Sequence, residues 1–174
     1  MDSVLYPQGR TNHYTKYVAG VLKFFKRADH SEISSIDGVA GVAYEAGKAY
    51  TIRRRITLAE VNAGITLLAA IPGYQYRMVD ATFLAYGGNA AGLTSVDITG
   101  TQSTAKVLLA AAVGGLNRSV LLKPDTTTHA AVLADGASFA VCDANTAITV
   151  KKVGSDLTTA TGVDLTFTYE IVRA

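Results

Sequence analysis

From Tyr50 to the end of the chain, apolar residues return at every second position, and Gly, Asn, Asp or Pro interrupts them every few residues. A period of two belongs to a strand with one face on a core and the other in water. Tyr50, Ile52, Arg54 and Ile56 fall on one face, with Thr51, Arg53, Arg55 and Thr57 on the other. Near the C-terminus Leu165, Phe167, Tyr169 and Ile171 alternate with Thr166, Thr168 and Glu170. The same grammar predicts strands at 65–70, 74–86, 94–99, 104–113, 117–123, 137–142 and 147–153, with Gly114-Gly115 in a hairpin-like position. Helical patterns between the strands are nearly absent, which argues against a doubly wound α/β fold. The expectation is an antiparallel sandwich or barrel. Its core would include Ile52, Ile56, Leu84, Val107, Leu109, Phe139, Val141, Ile148, Val150, Phe167 and Ile171.

One helix signal stands inside this region. Thr57-Leu58-Ala59-Glu60 has the form of a capping box, with Gly64 placed to end a short helix of one or two turns.

The first third of the chain is different. Residues 1–56 hold nine Lys/Arg against five Asp/Glu, whereas residues 57–174 hold seven against nine. Residues 3–28 contain Arg10, Lys16, Lys23, Lys26 and Arg27 and no acid, and 17 of the 20 threonines lie after residue 56. Threonine suits a pleated, half-exposed surface, so the change in composition marks a change in architecture. At about 100° per residue, Tyr14, Val18, Val21, Leu22 and Phe25 gather on one side, opposite Lys16, Lys23 and Arg27. The pattern predicts a basic amphipathic helix over residues 13–27, weakened by Gly20. Residues 31–47 lose the period and collect Gly and Ser, as an extended connection would. The expected division is an N-terminal arm, 1–49, and a β-sandwich domain, 50–174. The helix would either pack on its own domain or dock on an acidic or apolar partner.

Chemistry is sparse. His13, His30 and His129 have no compact ligand spacing, and Cys142 closes an apolar strand where a buried, inert thiol is the ordinary case. One cysteine can form neither an intramolecular disulfide nor a Cys-based zinc site. Asp125, Asp135, Asp143 and Asp156 fall at inferred turns without the spacing of a calcium loop. No phosphate-binding glycine motif is present. The expectation is a protein that is not an enzyme and takes no cofactor or metal. The start, Met1-Asp2-Ser3, lacks the order of a secretory signal. No apolar run approaches the ~20 residues of a membrane-spanning helix. Both point to synthesis in the cytoplasm and to no membrane partner.

Arg53, Arg54 and Arg55 remain. They could mark a nucleic-acid footprint, yet a net charge of +2 argues against a dedicated binder. The other reading has them paired with acids on a neighbouring subunit. Arg54 shares its face with Ile52 and Ile56, so it needs a partner if buried.

The stretch at 65–92, reading ITLLAAIPGYQYRMVDATFLAYGGNAAG, resembles small structural proteins of tailed bacteriophages, above all head decoration or cement proteins with jelly-roll-like domains. The resemblance covers residues 50–174. It implies a jelly-roll-like sandwich behind an N-terminal arm, in a capsid decoration protein made in the host cytoplasm and resident on the virion surface. It implies a trimer bound to a larger assembly such as the major capsid protein, and an apolar, low-charge domain beside an arm with little core of its own predicts self-association, a homotrimer first and a dimer second. The partner-binding residues expected are Arg10, Tyr14, Lys16, Val18, Val21, Leu22, Lys23, Phe25, Arg27, Arg53, Arg54 and Arg55. The alternative is a receptor- or carbohydrate-binding sandwich of a tail or head fibre, for which Tyr74 and Tyr76 flanking Gln75 offer an aromatic group.

Overall fold

The computed structural model describes residues 48–124, 132–133 and 136–174 with their side chains, and the backbone of strands at 4–5, 13–18, 21–26, 32–36, 43–44 and 130–131. The chain divides into two compact units, Met1–Lys48 and Ala49–Ala174.

The first unit carries β1 (Val4–Leu5), β2 (His13–Val18), β3 (Val21–Lys26), β4 (Glu32–Ile36) and β5 (Ala43–Tyr44), hydrogen-bonded in that order as an antiparallel meander. This corrects the expected helix. Residues 13–18 and 21–26 pair as two strands, with Tyr14 opposite Phe25, Lys16 opposite Lys23 and Val18 opposite Val21. The physical reason is composition. Tyr14, Thr15, Tyr17, Val18, Val21, Phe24 and Phe25 favour a pleated surface, and Gly20 costs a helix about 1 kcal/mol relative to Ala. With the period changed to two, Val21 and Leu22 take opposite parity, and the helical stripe of Tyr14, Val18, Val21, Leu22 and Phe25 does not exist. Residues 31–47, expected as a connection, contribute β4 and β5.

The second unit is an all-β body of two antiparallel sheets. Its elements are β6 (Ala49–Thr57), α1 (Leu58–Ala63), β7 (Ile65–Leu68), β8 (Tyr74–Tyr86), β9 (Ala91–Gln102), β10 (Thr104–Ala112), β11 (Ala130–Ala131), β12 (Ile148–Thr158) and β13 (Gly162–Arg173). The smaller sheet runs β6-β13-β8 and the larger runs β11-β10-β9-β12-β7. Short 3-10 turns occupy Val113–Gly115 and Ala137–Phe139. Among the described residues no helix is long and apolar enough to cross a membrane.

β13 is the spine of the smaller sheet. Its odd positions Val163, Leu165, Phe167, Tyr169 and Ile171 are all buried, while Asp164, Thr166, Thr168 and Glu170 between them stay partly exposed. Ile56, Leu109, Ile148, Val150, Phe167 and Ile171 all lie in the core, as their alternation requires. The capping box forms as read. Thr57 is the N-cap, its hydroxyl accepts from the Glu60 N–H, and the Glu60 carboxylate accepts from the Thr57 N–H at 2.8 Å. Gly64 closes the helix at φ 77°, a region open mainly to glycine.

Five expected core residues are placed differently, and bulges account for two of them. In β8 the pairing with β13 slips between Met78 and Asp80. Burial therefore passes from Tyr76 and Met78 to Ala81, Phe83 and Ala85, leaving Leu84 on the partly exposed face. In β10 a slip between Val107 and Leu109 puts Leu108 into the core in place of Val107. Ile52 and Val141 are half-buried, and Phe139, on the 3-10 turn, is exposed. The strands expected at 117–123 and 137–142 are absent as ladders. They survive as two single bridges to β8, Phe83 with Leu122 and Arg77 with Val141. Gly114 and Gly115 lie in a 3-10 turn rather than a two-residue hairpin.

Candidate partner-binding site

The expected partner-binding residues divide by what is described of them. Arg10 and Arg27 lie outside the described residues, as do His30, His129, Asp125 and Asp135. Tyr14, Lys16 and Val18 sit on β2, and Val21, Leu22, Lys23 and Phe25 on β3. The fold brings them together as paired strand positions, not as one helical face.

Arg53, Arg54 and Arg55 are consecutive on β6, an edge strand of the smaller sheet. Alternation sends Arg54 to the side of Ile52 and Ile56, and it is only partly exposed there. Its Nη2 donates to Glu60 Oε1 at 3.0 Å. The partner that Arg54 requires is thus six residues away in the same chain. Glu60 also accepts from the Thr57 N–H and hydroxyl. The Thr57 backbone bond, then the Thr57 hydroxyl and then Arg54 hold its carboxyl below the usual carboxylate range.

Arg55 lies on the solvent face directly across from Asp164. Its Nε and Nη2 donate to the two carboxylate oxygens at 2.8 and 2.9 Å, and its guanidinium lies 4.4 Å from the centre of the Tyr86 ring. This bidentate geometry raises the Arg55 pKa, chiefly through the Asp164 hydrogen bond, and the same bond lowers that of Asp164. On the same face the Thr51 and Thr168 hydroxyls meet at 2.9 Å, and Arg77 bonds Glu170. Arg53, opposite Thr166, is exposed and has no acid partner among the described residues. Two of the three arginines are therefore neutralised within the chain.

Tyr76 cannot serve as an exposed stacking platform. It is buried, its hydroxyl donates to the Ala69 carbonyl at 2.6 Å, and its ring meets Tyr169 edge-on at 5.7 Å. Cys142 is buried and desolvation pushes its thiol pKa up, away from the thiolate. A Cβ at Gly100 would stand 2.6 Å from its sulfur, so the absence of a side chain there is what admits the thiol. Asp143 accepts from the Ser103 N–H at 2.6 Å in the turn after β9. Asp156 lies within β12, not at a turn, and pairs with Lys152 at 3.1 Å. Among the described residues no three His, Cys, Asp or Glu side chains gather as metal ligands.

A row missed in the sequence runs along β9. Ser95, Asp97 and Thr99 are at most 8% exposed, although Val96 and Ile98 between them are also buried. Ser95 Oγ donates to Asp97 Oδ1 at 2.6 Å, while Thr99 Oγ1 has no hydrogen-bond partner. Desolvation raises the Asp97 pKa, against the Ser95 bond and the Lys151 charge from the paired position on β12. The signal was present as Ser-Val-Asp-Ile-Thr. Its alternation reads as a half-wet strand, and only the tertiary fold reveals that both faces are covered.

The chain matches no protein-family model, no curated protein and no solved structure.

Proposed function

We propose that the protein is a non-enzymatic virion structural protein, a decoration or cement protein that binds and stabilises a phage head as a homotrimer. The observation that carries this reading is the strand order. In a jelly roll, eight strands interleave as 1-8-3-6 in one sheet and 2-7-4-5 in the other. Counted from β6 with the two-residue β11 set aside, the strands β6-β13-β8 and β7-β12-β9-β10 have the orders 1-8-3 and 2-7-4-5, and β11 extends the larger sheet beyond β10. The sixth strand, which belongs beside β8, is represented by the bridges from Leu122 and Val141 to that edge. This order supports a jelly roll with its sixth strand reduced. Jelly rolls are shared by capsid and lectin domains. The burial of Tyr76 removes half of the aromatic group on which the carbohydrate-binding alternative rested.

The test is co-sedimentation of the purified protein with undecorated phage heads. Saturable binding at a fixed copy number per head, with heads more resistant to heat afterwards, is the expected result. Failure to bind heads, together with saturable binding to a host polysaccharide, would transfer the protein to the fibre reading. Light scattering at micromolar concentration tests the trimer.

A further inference from the structure

The two edges of the smaller sheet are finished differently. On the β8 edge, Phe83 exchanges both main-chain bonds with Leu122 at 3.0 and 2.9 Å, and Tyr76 accepts from Cys142 at 2.8 Å. Between these bridges the Ala81 N–H is capped by the Asp80 carboxylate at 2.8 Å. That edge is paired at the two bridges and capped between them.

On β6, the Leu58 N–H donates to the Thr161 carbonyl at 2.8 Å, immediately beyond the paired residues Thr57 and Gly162. Hydrogen-bonded pairs recur at every second residue of an antiparallel ladder. Ile56, Arg54, Ile52 and Tyr50 therefore direct their main-chain groups to β13, and Thr51, Arg53 and Arg55 turn theirs to the outer edge. The β8 side agrees, because Leu165 faces Arg54 for bonding and leaves Phe83 free to bond Leu122. At the C-terminal end the Thr57 N–H is capped by Glu60. Among the described residues, nothing pairs with the outward groups of Thr51, Arg53 and Arg55.

We propose that the β6 edge is a strand-addition site for an extended, acidic segment of another protein. Main-chain groups at Thr51, Arg53 and Arg55 supply the ladder, as in other β-augmentation sites. Charge selects the occupant. Glu60 and Asp164 are engaged by Arg54 and Arg55, so Arg53 is the cation that an incoming carboxylate would neutralise. A second copy is disfavoured at this edge, since antiparallel pairing of β6 with itself sets arginines against arginines, and like charges directly opposite are destabilising. The inference concerns a mode of binding and stands whether or not the partner is a capsid.

The experiment uses the full chain and a fluorescent nonapeptide of alternating Thr and Glu, with a Thr–Lys peptide as its counterpart. The Thr–Glu peptide should bind and the Thr–Lys peptide should not. In amide exchange, Thr51, Arg53 and Arg55 should be fast in the free protein and slow in the complex, with Ile52, Arg54 and Ile56 slow in both. Arg53→Glu should weaken binding about tenfold or more, and Arg118→Glu, the same charge change elsewhere, should leave it intact. Arg53→Pro removes an edge donor that β13 does not use, a substitution tolerated on edge strands, and should also abolish binding. Retained Phe167 amide protection verifies that this variant is folded, and Arg53→Gln replaces it if it is not. Binding unaffected by Arg53→Glu, equal loss in Arg118→Glu, or no slowing at the three amides would overturn the proposal. So would a β6-to-β6 dimer, or single-stranded DNA bound in preference to the peptide.

Discussion

The two sheets of the second unit treat water in opposite ways. In the smaller sheet, β13 alternates without a break, and every charged group on its outer face has a partner there: Asp164 with Arg55, and Glu170 with Arg77. In the larger sheet, the central β9 is buried on both faces from Ser95 to Gly100, and its polar row holds a carboxylate with one hydroxyl donor and a hydroxyl with none. A wet face tolerates charge cheaply because solvent shares the work of stabilising it. A covered face must satisfy each polar atom from within, and an incomplete set costs about 1–3 kcal/mol for each orphaned group. Stability should therefore be insensitive to the outer face of the first sheet and sensitive to both faces of the second.

The largest effect should come from the inner face of β13. Phe167 is fully buried and stacks on Tyr169 at 5.7 Å. Phe167→Ala should cost about 3–5 kcal/mol, whereas Thr168→Ala beside it should change stability by about 0.5 kcal/mol or less. Urea unfolding measures both, and similar losses would mean that β13 is not a one-sided strand. In the larger sheet Gly100→Val should cost about 1–3 kcal/mol by overpacking, because its side chain would collide with Cys142, Leu108 and Ile148. A neutral result would show the β9 core to be loosely packed.

These pairs also show how much of the architecture was legible. β13 and the α1 capping box are readable because alternation, turn residues and caps agree with the fold at every position, and the extent of β8 is readable from its length and its flanking turns. Leu84 and Val107 were misassigned because a bulge adds one residue and reverses parity, and no side chain in either strand signals it. Residues 13–26 were misread because basic and apolar residues can be arranged at both periods. Tyr, Val, Thr and Phe settle the conflict for strands, and the helical wheel ignores that preference. Of the candidate site, the need of Arg54 for a partner was readable, but its identity was not. In the sequence Glu60 reads only as a capping residue, and the Arg55–Asp164 pair joins residues more than a hundred positions apart.

A smaller effect separates the polar atoms of the covered row. Thr99→Val replaces a hydroxyl that has no partner with a methyl group, and should stabilise the protein by about 1 kcal/mol. Destabilisation would reveal a partner for that hydroxyl. Asp97→Asn tests the charge. Burial raises the folded-state pKa of Asp97, so the folded protein holds this proton more tightly than the unfolded chain does. Its contribution is fully present below the unfolded value of about 3.9 and is lost as pH rises through the elevated folded value. In the Asn variant that decline should vanish, so its stability relative to the parent should improve from acid to neutral pH. A parallel pair of pH profiles would place Asp97 in water.

The smallest effect belongs to the wet face, and its sign is the reverse. The Arg55 hydrogen bonds lower the Asp164 pKa, so its stabilising contribution is present above the unfolded value and fades as pH falls through the depressed folded one. Both groups are solvated, and exposed pairs contribute little even with good geometry. Arg55→Ala should thus give a loss near the limit of detection at neutral pH and moderate salt. The loss should shrink further as salt screens the pair and disappear at acid pH, where Asp164 is protonated in both proteins. Arg55→Lys separates charge from fork geometry, because an ammonium keeps the attraction but cannot donate along two parallel bonds or lie flat against Tyr86 in the same way. If Lys restores stability fully, the pair acts through charge alone. If Arg55→Ala proves as damaging as Gly100→Val, the outer face of the smaller sheet is not the solvated surface that its alternation describes, and the contrast between the two sheets fails.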